Sequence, residues 1–194
     1  MSAPSGGGKT TLCHQLLAKH PEMTRAITCT TRPPRKGERD GVDYYFLDAP
    51  TFERRVKAGD FLEHATVYGH SYGTPKSEVL ARLRQGRDVL LTIDVQGAAS
   101  VCAAADRDPD MRRALVTVFL TPASQDELAA RLRGRATDSE AELRARLGVA
   151  RQEIARWRTF QYLIISTTIA EDLRRMEAIL QAERMRASRA RPPG

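Results

Sequence analysis

The sequence predicts an α/β protein built on a doubly wound parallel sheet, and three observations carry that expectation. Apolar runs of strand length, Asp88–Asp94, Leu115–Leu120 and Leu163–Ile165, alternate with helical segments. The clearest of them, Val89-Leu90-Leu91-Thr92-Ile93, is bounded by charge at both ends, which suits a strand covered on both faces. A glycine-rich loop, Ala3-Pro4-Ser5-Gly6-Gly7-Gly8-Lys9-Thr10, opens the chain and runs straight into a helical segment.

The first helix reads from Thr11 to about Lys19 and stops before Pro21. Ala26–Thr30 is β-rich and reads as a strand. Thr31–Gly41 is a polar loop stiffened by Pro33 and Pro34, with Gly37 as a turn residue. Asp43–Phe46 is a short strand. Pro50–Ala58 has helical spacing, with Phe52 and Val56 on one face. Phe61–Tyr68 and Ser71–Gly73 form an extended pair around the turn Gly69-His70, and Lys76–Arg84 is an amphipathic helix closed by Gly86. Helices of about Gln96–Ala105, Ser124–Arg133, Ser139–Arg158 and Ile169–Arg186 separate the later strands. Residues 32–86 break the alternation and read as a substrate-binding insert in a core made of 1–31 and 87–194.

One expectation concerns the start. A phosphate-cradling loop normally follows a buried parallel strand, and only Met1 and Ser2 precede Ala3. A central strand of about five residues contributes on the order of 5–10 kcal/mol, against roughly 5–15 kcal/mol for a whole domain. The chain as written therefore lacks its first strand on this reading, and the natural product starts upstream.

The 194 residues suit one domain, or one domain with a small insert. An apolar fraction of 41% and a charged fraction of 28% are those of a globular protein. No membrane-length apolar run and no signal-peptide pattern occur. Cys13, Cys29 and Cys102 are odd in number and far apart, which points to reduced thiols and a cytoplasmic location. His14, His20, His64 and His70 show no metal-ligand spacing with them, so no structural metal is expected. The net charge of +7 suits polyanionic ligands. The basic residues are dispersed without interleaved aromatics, which argues for small polyanions and against nucleic acid. The basic end, 184–194, reads as a solvated tail.

The chemistry starts in the loop. Glycines let backbone N–H groups converge on phosphate, Lys9 supplies charge, and the Thr10 hydroxyl is suited to Mg²⁺. Ala3, Pro4, Ser5, Gly6, Gly7, Gly8, Lys9, Thr10 and Thr11 are the phosphate-binding candidates; Ala3 stands where the usual pattern opens with glycine. Arg32 and Arg35, three residues apart on the proline-stiffened loop, form a fork for one phosphate, and Tyr44 adds a hydroxyl. Asp94 ends the best strand, where α/β enzymes place ligand groups, and serves either the metal region or a bound base.

These blocks, in order, resemble the guanylate kinase family over essentially the whole chain. The resemblance rests on Ser5-Gly6-Gly7-Gly8-Lys9-Thr10, Thr30-Thr31-Arg32-Pro33-Pro34-Arg35, Asp40-Gly41-Val42-Asp43-Tyr44, Phe61-Leu62-Glu63-His64-Ala65, Tyr72-Gly73-Thr74-Pro75, Ile93-Asp94-Val95-Gln96-Gly97 and Arg131-Leu132-Arg133-Gly134-Arg135. It implies a P-loop nucleoside monophosphate kinase-like fold with a GMP-binding insert and a helical lid at 131–148. It implies phosphorylation of GMP by ATP with Mg²⁺, giving GDP and ADP, and leaves dGMP open as a second acceptor. Arg32, Arg35, Tyr44 and Tyr72 match the positions that hold the GMP phosphate, and Thr28, Glu63 and Thr74 those that read guanine. Lys9, Arg32, Arg131, Arg135 and Arg146 match the charge-neutralising set. Guanine offers N1–H and N2–H₂ as adjacent donors, which one carboxylate accepts together; adenine offers neither, and such sites reject the wrong analogue by roughly 10⁴–10⁵.

Two departures stand out. Thr92 replaces an acid that the family carries two residues before Asp94, and Ser166 stands where an asparagine often lies near adenine. The alternatives are a sugar-phosphate kinase on the same scaffold, which needs no guanine reader, and a non-catalytic protein-binding module, which tends to lose the phosphate loop. Arg144 reads as a surface partner of Glu140, and Arg133 as a surface residue. Monomer and homodimer are both open on the sequence.

Overall fold

Gly8 ends the opening loop in a left-handed conformation (φ 88°), and helix α1 (Lys9–Lys19) starts directly after it, burying Leu12, Cys13 and Leu16. The structure, a computed structural model, describes residues 1–67, 69–133 and 140–189. Strands β1 (Thr24–Arg25), β2 (Thr28–Thr30) and β3 (Tyr44–Phe46) follow. Helix α2 (Ala49–Lys57) is capped by Asp48, which accepts from Thr51 N at 2.6 Å. Hairpin strands β4 (Phe61–Val67) and β5 (His70–Pro75) lead into α3 (Lys76–Arg84). Then come β6 (Val89–Leu90), α4 (Val95–Ala105), α5 (Pro109–Ala114) and β7 (Val118–Pro122). Helices α6 (Gln125–Arg133) and α7 (Glu140–Ala155), a 3₁₀ turn at Trp157–Thr159, β8 (Tyr162–Ser166) and α8 (Ile169–Arg184) complete the described order.

The central parallel sheet is held as two pairs, β1 with β6 and β7 with β8. Met1 and Ser2 lie between the pairs. Met1 N donates to Leu91 O (2.8 Å) and Ile93 N donates to Met1 O (3.3 Å); Ser2 N donates to Val118 O (2.9 Å) and Leu120 N to Ser2 O (2.8 Å). Ser2 forms an isolated parallel bridge with Phe119, and among the described residues no regular strand precedes the loop. Met1, Ser2 and Ala3 are buried there.

Two expectations change. The run 88–94 is regular strand only at Val89–Leu90, where β1 supplies a ladder; beyond that the Leu91 carbonyl and the Ile93 amide bond to Met1. Leu163 and Ile165 are exposed and only Ile164 of that trio is buried, since β8 pairs with β7 alone and its pleat turns alternate side chains outward. Ala26–Thr30 is also divided: Ala26 N still bonds Leu90 O in the core, whereas Thr28–Thr30 belongs to a second sheet.

That second sheet has the order β3-β2-β5-β4. Phe52 of α2 stacks on Phe61 of β4 (ring centroids 4.7 Å) beneath it, and a Cβ at Gly73 would stand 2.9 Å from the Phe61 ring. The main core gathers Leu12, Leu16, Leu120, Ile164 and Met176; a second cluster joins α6 and α7 through Leu128, Leu132 and Ala150. Of the basic end, residues 184–188 are exposed, Arg189 is half-buried, and 190–194 lie outside the described residues. Arg184 pairs with Asp88 (2.6 Å) and Glu22 (3.1 Å), and Arg189 pairs with buried Glu183 (3.1 Å) while donating to Leu115 O (3.0 Å). Arg144 meets Glu140 at 3.0 Å, as its i,i+4 spacing predicts, and Arg133 is exposed. No helix among the described residues is long and apolar enough to cross a membrane.

Candidate active site

The opening loop is shaped by contacts that leave no room for side chains at Gly6 and Gly7. Gly7 N donates to Pro4 O (2.9 Å), and a Cβ at Gly7 would lie 2.9 Å from that oxygen and 3.0 Å from the Ala3 methyl. Ala3 therefore fits at the head of the motif because position 7 is glycine. Gly6 has φ 80° and a Cβ there would press on Leu132 at 3.0 Å, so the loop lies directly against α6. Ser5 is half-buried, and Thr10 and Thr11 are exposed on the first turn of α1, where unpaired N–H groups favour anions.

Lys9 sits at the centre of a charge cluster. Its Nζ donates to Ile93 O (3.1 Å). Burial lowers its pKa, opposed by the charges of Asp94, Glu153 and Glu63. Asp94 Oδ1 accepts from Gly97 N (2.7 Å) and caps α4, while Oδ2 accepts no hydrogen bond among the described residues. Half of this carboxylate is thus a helix cap, a role its place after an apolar strand does not announce.

Arg131 reaches from α6 toward the loop: its Nη1 is the nearest atom, at 3.7 Å, to where a Cβ on Gly8 would stand. Its guanidinium also lies 3.3 and 3.4 Å from Ser166 Oγ and pairs with Glu127. Ser166 Oγ donates to Asp172 Oδ2 (2.6 Å) and is buried. Its hydroxyl proton is thereby committed, and the residue links Arg131 to α8. Arg146 is half-buried on α7, and Arg135 lies outside the described residues. The segment 131–148 is described at 131–133 and from 140 onward.

The second sheet gathers the other candidates. Thr28 pairs with Tyr44, Thr30 with Tyr72, and Glu63 with Thr74. Side chains alternate along strands and paired positions share a face, so Tyr44, Thr28, Tyr72, Thr74 and Glu63 all stand on one side of this sheet. Glu63 is 5% exposed and Thr74 is fully buried, with Thr74 Oγ1 donating to Glu63 Oε1 at 2.6 Å. Burial raises the Glu63 pKa and nearby Asp94 adds to the rise; the Thr74 bond and Lys9 oppose it. A Cβ on Gly97 would lie 2.6 Å from Glu63 Oε2, so α4 presents bare backbone to this carboxylate.

The arginine fork is built on an internal acid. Arg32 Nη2 contacts both oxygens of Glu38 (2.8 and 2.9 Å), and Arg35 N donates to Glu38 Oε2 (2.7 Å). The Arg32 guanidinium carbon lies 5.5 Å from the Tyr44 ring centroid, and the Tyr44 and Tyr72 rings meet edge-on at 6.2 Å. The Arg35 side chain is exposed.

A family model described as guanylate kinase matches residues 1–183. The chain belongs to the guanylate kinase family. A guanylate kinase of Novosphingobium aromaticivorans is 43% identical over 189 residues, covering 97% of this chain and 83% of that one. One of Paramagnetospirillum magneticum is 42% identical over the same length, covering 97% and 86%. The crystal structure of guanylate kinase from Anaplasma phagocytophilum superposes with a TM-score of 0.77 at 34% identity, covering 97% of this chain and 86% of that one. The matched lengths span the loop, both sheets and α7 of this chain, so its fold is that of the family.

Three contributors escape a sequence reading. Gly97 lies inside the Ile93–Gly97 block, but nothing in its identity tells that it faces Glu63. Glu38 follows the fork in sequence and looks like another loop charge. Glu153 lies on α7 beside the apolar stripe Leu143, Leu147, Ala150 and Ile154; burial raises its pKa, opposed by Lys9 and the Ser5 backbone. An acid flanking an apolar helical stripe is the signal that could have found it.

Proposed function

We infer that this chain transfers the γ-phosphoryl group of ATP to GMP, releasing GDP and ADP. The buried Glu63–Thr74 pair, on the face that also carries Tyr44 and Tyr72, carries the reading. A buried carboxylate is stable only with donors around it, and Thr74 supplies one. Guanine N1–H and N2–H₂ supply two more, with Thr28 on the same face.

The acceptor phosphate lies on this proposal with Arg32, Arg35, Tyr44 and Tyr72, Arg32 being pre-aimed by Glu38. Loop residues 3–11 cradle the ATP phosphates, with Lys9 neutralising charge. An oxygen of the GMP phosphate attacks the γ-phosphorus, the bond to the β,γ-bridging oxygen breaks, and ADP leaves. Such transfer needs positioning and electrostatics more than covalent chemistry, and Arg131, Arg135 and Arg146 contribute that charge. Ser166 serves the ATP side by holding Arg131.

Mg²⁺, when bound with ATP, neutralises phosphate charge. Thr10 and Asp94 would hold it: both offer hard oxygen atoms, which suit this ion. No group of three or more His, Cys, Asp or Glu that could hold an ion occurs among the described residues, so the ion would take its remaining ligands from water and phosphate oxygens. Buried Cys13 and Cys29 are free thiols, consistent with a reducing, cytoplasmic setting, and dispersed charge favours nucleotides over nucleic acid as partners. Calorimetry with GMP and with ATP, each alone, tests the reading. Heat is expected with both, and none with either on folded protein would reject it.

A further inference from the structure

Arg25 is a half-buried guanidinium with no carboxylate in ion-pair range among the described residues. Its Nη2 donates to Asp43 O (2.5 Å), and its guanidinium carbon lies 5.9 Å from the Tyr44 ring centroid. Arg32 stands 5.5 Å from the same ring. One phenol thus carries two guanidiniums, of which Glu38 forms an ion pair with Arg32 and none with Arg25. Partly buried cations are normally paired. A surplus positive charge beside two tyrosines and an arginine suits a bound anion. Arg25 also belongs to β1, in the core sheet, whereas Asp43 and Tyr44 lie at the edge of the second sheet. Its contacts therefore tie the two sheets at the edge where Tyr44 enters.

We propose that Arg25 is a positioning residue for the acceptor phosphate. It fixes Tyr44 through the Asp43 carbonyl and the ring face, and it adds positive charge on the phosphate side of the pocket. This rests on the reading that Tyr44 and Arg32 hold the GMP phosphate; no motif in the chain marks Arg25. A cation on an aromatic face and a charge-assisted hydrogen bond are each modest, so the expected effect is a several-fold change rather than loss of activity.

The test compares GMP with guanosine, which has the same base and no phosphate. Arg25→Met keeps the alkyl stem and removes the charge. Calorimetry should show GMP binding about 3- to 10-fold weaker than wild type, with guanosine and ATP within about twofold, and kcat at saturating GMP within about twofold. Should the Met variant unfold, Arg25→Lys carries the same comparison, with GMP alone weakened at least about twofold because the planar fork is lost. Unchanged GMP affinity, or guanosine weakened in parallel with GMP, would overturn the proposal. A wild-type protein that binds neither GMP nor guanosine would sink the underlying site assignment instead, so the two failures are distinct.

Discussion

Gly97→Ala sets two effects against each other. Within α4, alanine is favoured over glycine by about 1 kcal/mol, and Gly97 has no left-handed backbone to forbid the change. Yet the new methyl would stand 2.6 Å from Glu63 Oε2 and 3.3 Å from Ile93 Cβ. Glu63 is 5% exposed and its other oxygen is held by Thr74 at 2.6 Å, so the carboxylate cannot swing away freely. Overpacking of this kind costs about 1–3 kcal/mol. The net change in stability is therefore small, between about zero and 2 kcal/mol of loss. The functional effect is larger. Moving the carboxylate off guanine forfeits at least one charged hydrogen bond, about 1.5–3 kcal/mol, or roughly 10- to 150-fold in GMP affinity at 1.4 kcal/mol per tenfold. A coupled ADP-release assay over a GMP titration, beside a thermal melt, reads both quantities. KM for GMP should rise at least about tenfold while KM for ATP stays within about twofold. A KM for GMP within twofold of wild type would refute the contact between Gly97 and the guanine reader.

Other outcomes follow from the same geometry. Lys9→Met should lower kcat at least about 100-fold with no loss in melting temperature, because burial already disfavours the charged amine; near-normal GDP production would remove Lys9 from its role. The raised Glu63 pKa fixes a pH sign. Its folded pKa exceeds the unfolded value, so the stability it contributes is greatest below the usual 4.5 and is lost as pH rises through the folded value. Guanine binding needs the ionised form, so KM for GMP should rise on acidification with a midpoint above pH 4.5, and Glu63→Gln should erase that limb. Leu132→Ala removes a fully buried side chain and the wall behind Gly6. It should cost about 2–5 kcal/mol by denaturant unfolding and raise KM for ATP more than KM for GMP.

Local rules carried much of the fold. Lys76–Arg84 begins after Pro75 and ends before Gly86 at φ 72°, so its bounds were readable residue by residue. Helix α5 was missed although Asp108-Pro109 is a cap-and-first-turn signal, because six residues are too few to show a period. The 88–94 run misled because strand length depends on the neighbour: composition shows what can be buried, and the ladder extends only where β1 continues. The hydrogen bonds of Met1 and Ser2 could not be read from sequence, since they depend on Leu91, Ile93, Val118 and Leu120 converging from far along the chain. In the candidate site, Lys9 and Arg32 stand out by residue type and spacing alone, whereas Glu63 and Thr74 are picked out only through the family resemblance. Those that act through shape or through another residue, Gly97, Glu38, Arg25 and Glu153, became visible only when distant strands and helices met.

The central claim is that a sequestered acid on the second sheet chooses the base while the opening loop holds the phosphate donor. Initial rates of ADP formation with ATP and each of GMP, AMP, CMP and UMP test it most directly. GMP should support turnover, with AMP lower by roughly 10⁴-fold or more in kcat/KM. Comparable rates with GMP and AMP, or no ADP with GMP, would contradict it.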